Sequence, residues 1–296
     1  MADGIQSIAK RVEPLIDLMA LRNPVTRRFV LLLAAAGFLA GIWISFRAQP
    51  DILTHVAFTP LILLIAVAIP VTLALNALEF LLSARLVGQK LPFRKSMEIT
   101  LIGSVANMLP LPGGTMMRIA SLKAEGASFA KSTSATLYVA LIWCGIGLIY
   151  SGSWLTVLGQ HIGGMALVAG GGTILAVCIS ATYRILGDVK FTNMIVAAKI
   201  ILVLVDAWRT YLSLLALGMM VSFGQASVLA LSSLLGASFS IVPAGLGIRE
   251  GAAALLGPVV GVSAASAFLA TSLSRILGMA VTFPLALALA LKKSER

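Results

Sequence analysis

Pro112-Gly113-Gly114-Thr115-Met116-Met117-Arg118 cuts short an apolar run, and 131 residues later Pro243-Ala244-Gly245-Leu246-Gly247-Ile248-Arg249 cuts short another. Both stretches fit P-small-G-x-x-x-R. Proline lacks an amide hydrogen and its ring crowds the preceding turn, so it ends a helix; glycine lets the chain turn afterwards. The runs before the breaks, residues 99–109 and 226–242, are short of the ~20 apolar residues that span a bilayer. Non-helical backbone at membrane depth is tolerated only where protein shields it or water fills a cavity. Each break therefore predicts a re-entrant hairpin, a half-helix in and a half-helix out, at residues 99–128 and 226–257. A single kinked span is the alternative at each place.

Working outward, the rest of the chain has the composition of a membrane protein. Hydrophobic residues make up 59% of the 296 positions and charged residues 11%, against about 25% charged in a soluble domain. Apolar runs predict six spans, at residues 29–46, 58–82, 133–151, 163–183, 196–219 and 264–291. The expected fold is thus an all-α polytopic membrane protein: six spanning helices plus two re-entrant helical hairpins. Residues 1–28 precede the first span. Within them Ile5, Ile8, Val12, Leu15, Ile16 and Met19 fall near one helical face, which predicts a cytoplasmic interfacial helix. With basic and acidic residues ahead of the first apolar run, that run reads as a retained span, not a cleaved signal.

The excess of 22 Lys plus Arg over 11 Asp plus Glu lacks the interleaved aromatics of a nucleic-acid surface. It orients the spans instead. With the N-terminus inside, 17 of the 22 basic residues fall in cytoplasmic segments, from Lys10 to Arg296 and including Lys199; only Arg47 falls outside. Hairpins entering from opposite faces satisfy the positive-inside bias. Both termini are expected in the cytoplasm.

The offset between the breaks extends further. It carries the first span towards the fourth and the third onto the sixth, and it brings Asn76 and Glu79 beside Asp206 and Arg209. Residues 29–152 and 163–291 then form two repeats of three spans and one hairpin. An odd number of crossings inverts the second repeat, an arrangement that in transporters puts the binding site at the broken helices.

A charged side chain at membrane depth costs at least about 2.5–3.5 kcal/mol unless it is paired or hydrated. Arg118, Arg209, Asp206, Arg249, Glu250, Glu79 and Arg275 must therefore pair or line a wet cavity. Arg118 and Arg249 each follow a glycine turn, one helical turn into the next half-helix, where free amides and a guanidinium fork favour phosphate. Gly113, Gly114, Gly245 and Gly247 let the backbone approach. The prediction is one cationic cavity that takes a lipid headgroup through while the tails stay in the bilayer. Glu250 would orient Arg249 or bind a cationic headgroup portion; the alternative is a plain ion pair with Arg275. Asn76, Glu79, Asp206, Arg209 and Arg275 are supporting intramembrane polar groups, Asp206 and Arg209 being placed to satisfy each other. Cys144 and Cys178 lie in apolar runs and His55 and His161 in separate loops, so no metal, cofactor or catalytic set is expected.

The stretch Ser238-Phe239-Ser240-Ile241-Val242-Pro243-Ala244-Gly245-Leu246-Gly247-Ile248-Arg249-Glu250-Gly251 resembles the P-x-G-G-L-G-V-R-E-G signature of the lysylphosphatidylglycerol synthase transmembrane region, a family of bacterial and archaeal membrane proteins. Met108 to Leu122 resembles that family's P-x-x-x-G-x-x-x-R element, and Ser272-Leu273-Ser274-Arg275 its later polar-plus-Arg pattern. The resemblance implies movement of aminoacylated or other phospholipids, or of polyprenol-linked lipids, between leaflets. It maps Gly245, Gly247, Arg249, Glu250 and Arg118 onto the family's characteristic positions, and it implies a bacterial inner membrane. Two departures stand out. Tyr138-Val139-Ala140-Leu141-Ile142 replaces an E-R-x-x-D-like element, and the 296 residues hold no aminoacyl-transfer domain, so no lysyl-lipid synthesis is expected. A secondary transporter of a small anion, an enzyme on an isoprenoid phosphate, and a non-transporting partner of a biosynthetic enzyme are the competing readings. A homo-oligomer is compatible with each.

Overall fold

The computed structural model describes residues 24–107, 113–186, 188–238 and 245–294. The interfacial helix expected near the N-terminus lies outside these residues, as do the turn prolines Pro110, Pro112 and Pro243. Among the described residues every regular element is helical.

The chain begins with α1 (Pro24–Ala48), α2 (Phe58–Leu86), the short α3 (Phe93–Ala106) and α4 (Gly113–Ala124), and α5 (Phe129–Val157). A similar order follows, with two short helices where the first set has α3: α6 (His161–Leu186), α7 (Val189–Ala216), the short α8 (Phe223–Leu229) and α9 (Leu231–Ser238), then α10 (Ile248–Val259) and α11 (Ala264–Ser294). Among the described residues five helices (α2, α5, α6, α7 and α11) are long and apolar enough to cross a membrane, while the apolar part of α1, Leu32–Ala48, is shorter. The helices outrun the apolar runs because polar caps extend them. Ser128 accepts the amide hydrogen of Lys131, Asp188 that of Phe191, and Ser222 and Gln225 cap each other's backbone.

Within α2 a π-helical turn, Leu64–Ala68, precedes Pro70. Proline cannot donate the amide that an α-turn requires, and the wider turn absorbs the missing bond. Small residues join the halves: α5 and α6 pack closely because Gly145 faces the Gly171 carbonyl and Gly152 the Gly164 carbonyl, where an added Cβ would come within 2.9 and 2.8 Å.

Helices α3 and α4 pack as a pair, and α9 packs on α10 in the same way. The halves then exchange partners. Helix α5 of the first packs on α8 and α9 of the second, α11 of the second packs on α3 of the first, and α2 lies along α7. Both helix pairs and both central helices consequently converge on the boundary between the halves.

Candidate ligand cavity

A cavity of about 450 Å³ opens at that boundary. Arg118 from α4 and Arg249 from α10 both line it, so the two arginines that follow the duplicated breaks share one space. Gly114, Gly245, Asn76, Glu79, Asp206 and Arg209 line it as well, whereas Gly113, Gly247, Glu250 and Arg275 do not. Four cations (Arg118, Lys199, Arg209, Arg249) face two carboxylates (Glu79, Asp206), a formal balance of 4 − 2 = +2. Asn107, Thr115 and Ala140 line the space and are exposed, so it is open and not sealed.

Close backbone approach shapes each helix pair. A Cβ on Gly113 would run into the carbonyl of Ala106, and one on Gly245 (φ 63°) into that of Gly236. In the first pair Asn107 reaches over the break, its Oδ1 accepting the Gly114 amide at 2.6 Å, which caps the start of α4. In the second the cap is Glu250, whose Oε2 accepts the Gly247 amide at 2.9 Å. Lys95 and Glu125 close the far end of the first pair as an ion pair.

The charges are distributed unequally. Glu79 is 1% exposed and bonded on every side. Arg118 Nη1 donates to both its oxygens at 2.8 and 3.1 Å, Lys199 Nζ donates to Oε2 at 3.2 Å, and Ser83 Oγ donates to Oε1 at 3.1 Å. Asp206 and Arg209 stand 4.0 Å apart, a loose pair, and Arg209 also reaches Ser274 Oγ at 3.3 Å. Glu250 takes the alternative role that its neighbour Arg275 offered: Arg275 Nε donates to Oε1 at 2.6 Å and Nη2 to the Gly245 carbonyl at 3.1 Å. That pair braces the second break from behind and leaves Arg249 without it. Arg249 is ion-paired with no carboxylate among the described residues, and its Nε is buried without a hydrogen-bond partner.

Lys199 corrects the sequence reading, which counted it among the cytoplasmic basic residues. It lies 6% exposed in the third turn of α7, because the helix starts at Val189, well before the apolar run. Its spacing carried the signal: Lys199 and Asp206 are seven residues apart, hence on one helical face, with Arg209 one turn further. Thr100 and Ser233 were also missed. Both line the cavity, and the hydroxyl of each is buried with no partner. They share a pattern, Thr100-x-x-Gly103 before Gly114-x-x-x-Arg118 and Ser233-x-x-Gly236 before Gly245-x-x-x-Arg249, that extends the duplicated motif upstream of each break.

Chemically, the cavity suits an oxyanion: guanidinium forks, hydroxyls and a formal net positive charge face one space. Groups of three or more metal-ligating side chains are absent among the described residues. Comparison with protein families and with curated proteins returns no match.

Proposed function

We propose that the protein moves an amphiphile with an anionic, phosphate-bearing headgroup between the leaflets of a membrane, in the manner of a flippase. The observation that carries this reading is the convergence of Arg118, Lys199, Arg209 and Arg249 from both halves on one open cavity where, among the described residues, they face two carboxylates. Its volume of about 450 Å³ lies within the range of small-molecule sites and suits a headgroup without its acyl chains. On this reading the paired helices α3–α4 and α9–α10 are re-entrant hairpins that enter from opposite faces, and α1 is a sixth span. The two halves are inverted repeats rocking around a fixed site. The tails would remain in lipid while cations replace the headgroup's lost hydration. The resemblance of Gly245–Gly251 and of Met108–Leu122 to the lysylphosphatidylglycerol synthase transmembrane region favours a lipid over a small solute. With Lys199 moved into the cavity, 16 of the 22 basic residues still fall in segments assigned to the cytoplasm, which supports an inside location for both termini.

Reconstitution into sealed vesicles tests the reading. Fluorescent phospholipids and polyprenyl phosphates are followed between leaflets for the wild type, Arg118→Gln and Arg249→Gln. Exchange of at least one lipid, reduced about tenfold or more by either substitution, is expected. Equal exchange in all three proteins overturns the role of the arginines. Uptake of free phosphate without any lipid exchange replaces the lipid reading with that of a small-anion transporter.

A further inference from the structure

The two halves of the cavity are built alike but charged differently. Helices α2 and α7 end in the same cap: the Gln89 amide donates to Ala84 O at 2.8 Å and the Met219 amide to Leu214 O at 3.1 Å, across Gly88 (φ 85°) and Gly218 (φ 73°). The α-helix runs unbroken back from each cap, to Ile69 in α2 and to Val189 in α7. Nine residues before each glycine stand Glu79 (88 − 79) and Arg209 (218 − 209), and twelve before stand Asn76 and Asp206. Glu79 and Arg209 therefore occupy equivalent places, each beside its own half's break arginine.

In the first half that place holds an anion. Glu79 binds Arg118 through both carboxylate oxygens and accepts from Lys199 as well. In the second half the same place holds a second cation, and Arg209 lies within electrostatic reach of Arg249. Arg209 Nε, Arg249 Nε and Ser233 Oγ are all buried, all without a partner, and all three residues line the cavity. Buried donors left unmade are costly and in native proteins usually await a ligand, an ion or water. Asp206 lies 4.0 Å from Arg209 and within electrostatic reach of Arg249 but binds neither closely, and two guanidinium groups so placed form a clamp for a tetrahedral oxyanion, which presents several acceptor oxygens to planar forks.

We propose that the Arg209–Arg249–Ser233 side of the cavity is the phosphate subsite, where a bound phosphate oxyanion takes the place that the Glu79 carboxylate takes beside Arg118. Arg118 is thus satisfied by an internal carboxylate, whereas Arg209 and Arg249 are completed by the ligand. This assignment rests on the translocator reading for its biological setting, though not for its chemistry. The phosphate is either that of a lipid headgroup or a free one.

The test is equilibrium binding to the purified full chain in detergent, with radiolabelled inorganic phosphate in one arm and radiolabelled short-chain phosphatidic acid in the other. Arg249→Gln and Arg209→Gln are each expected to lose about tenfold or more in affinity, and Arg118→Gln clearly less, because its partner is Glu79. Melting temperature reports whether each variant folds. Should the Gln variants fail to fold, Arg249→Lys and Ser233→Ala decide, each expected to bind more weakly than wild type. No binding of either probe by the wild type overturns the assignment. So does undiminished binding in the second-half variants, or a loss in Arg118→Gln as large as that in Arg249→Gln. Binding in the phosphatidic acid arm alone identifies a lipid headgroup, and binding of inorganic phosphate with equal strength a free anion; both support the subsite. The expected binding pattern in a protein that exchanges no lipid keeps the subsite and removes the translocator reading.

Discussion

Lys199 reaches from the second half of the chain to the Glu79 carboxylate of the first, Nζ to Oε2 3.2 Å, with both side chains buried. The contact crosses the boundary along which α2 lies on α7, and Arg118 meets the same carboxylate from the α3–α4 pair. Three elements are thereby pinned at one point. An ion pair of this kind adds little over a well-packed apolar pair, yet breaking it strands a buried charge.

Glu79→Leu should therefore be the most damaging single change in the cluster, since it strands two cations at once. A loss of about 3–5 kcal/mol is expected. Lys199→Met should cost less because Arg118 still neutralises the carboxylate. The Glu79→Leu/Lys199→Met double variant should lose less than the sum of the two. Thermal unfolding in detergent reads all three, and additive losses would show that the pair is not coupled.

Glu79→Gln separates stability from binding. It removes an internal anion and moves the cavity from a formal +2 to +3 while keeping the side-chain shape. The variant should melt at a lower temperature and bind inorganic phosphate more tightly than wild type, a gain that titration calorimetry on the folded fraction detects. Weaker binding would mean that Glu79 positions the ligand instead of standing in for it.

Asn107 offers a second separation. Its Oδ1 caps the Gly114 amide and its side chain borders the cavity. Asn107→Ala should cost about 1 kcal/mol through the lost cap. Asn107→Asp keeps the acceptor at a helix N-terminus, so stability should hold, but it lowers the cavity charge to +1 and should slow transfer of an anionic headgroup. Leaflet exchange and melting temperature measured side by side distinguish the two. An Asp variant that transfers as fast as wild type would show that cavity charge is not what selects the ligand.

Glycine substitutions report on the close approaches. Gly245 combines φ 63° with contact against the Gly236 backbone, so Gly245→Ala is expected to lose about 2 kcal/mol or more. Gly170, in the middle of α6 with open space where a Cβ would go, is the control. Gly170→Ala should be neutral or stabilise by about 0.5–1 kcal/mol through helix propensity. Chemical denaturation of the two variants checks the contrast.

Legible in the residue order alone were the helical class, the approximate positions of the long apolar helices, with ends displaced by up to seven residues, and the duplicated breaks with an arginine behind each. These features are local. Hydrophobic run length sets a helix, and proline and glycine end one, whatever lies across the fold. The offset also brought Asn76 and Glu79 close to their counterparts, Asp206 and Arg209. Pairing was not legible, because a charged side chain in an apolar setting must find a partner and the order of residues does not say which. Glu79 bonds Arg118, 39 residues away, and Lys199, 120 residues away. Glu250 leaves its neighbour Arg249 for Arg275. The tertiary structure alone decided that Arg118 and Arg249 share one cavity, that Lys199 belongs to it, and that Glu79 binds Arg118 closely while Asp206 stands 4.0 Å off Arg209. The physical reason is that Coulomb attraction and desolvation act on distance in space, and packing α2 along α7 sets those distances.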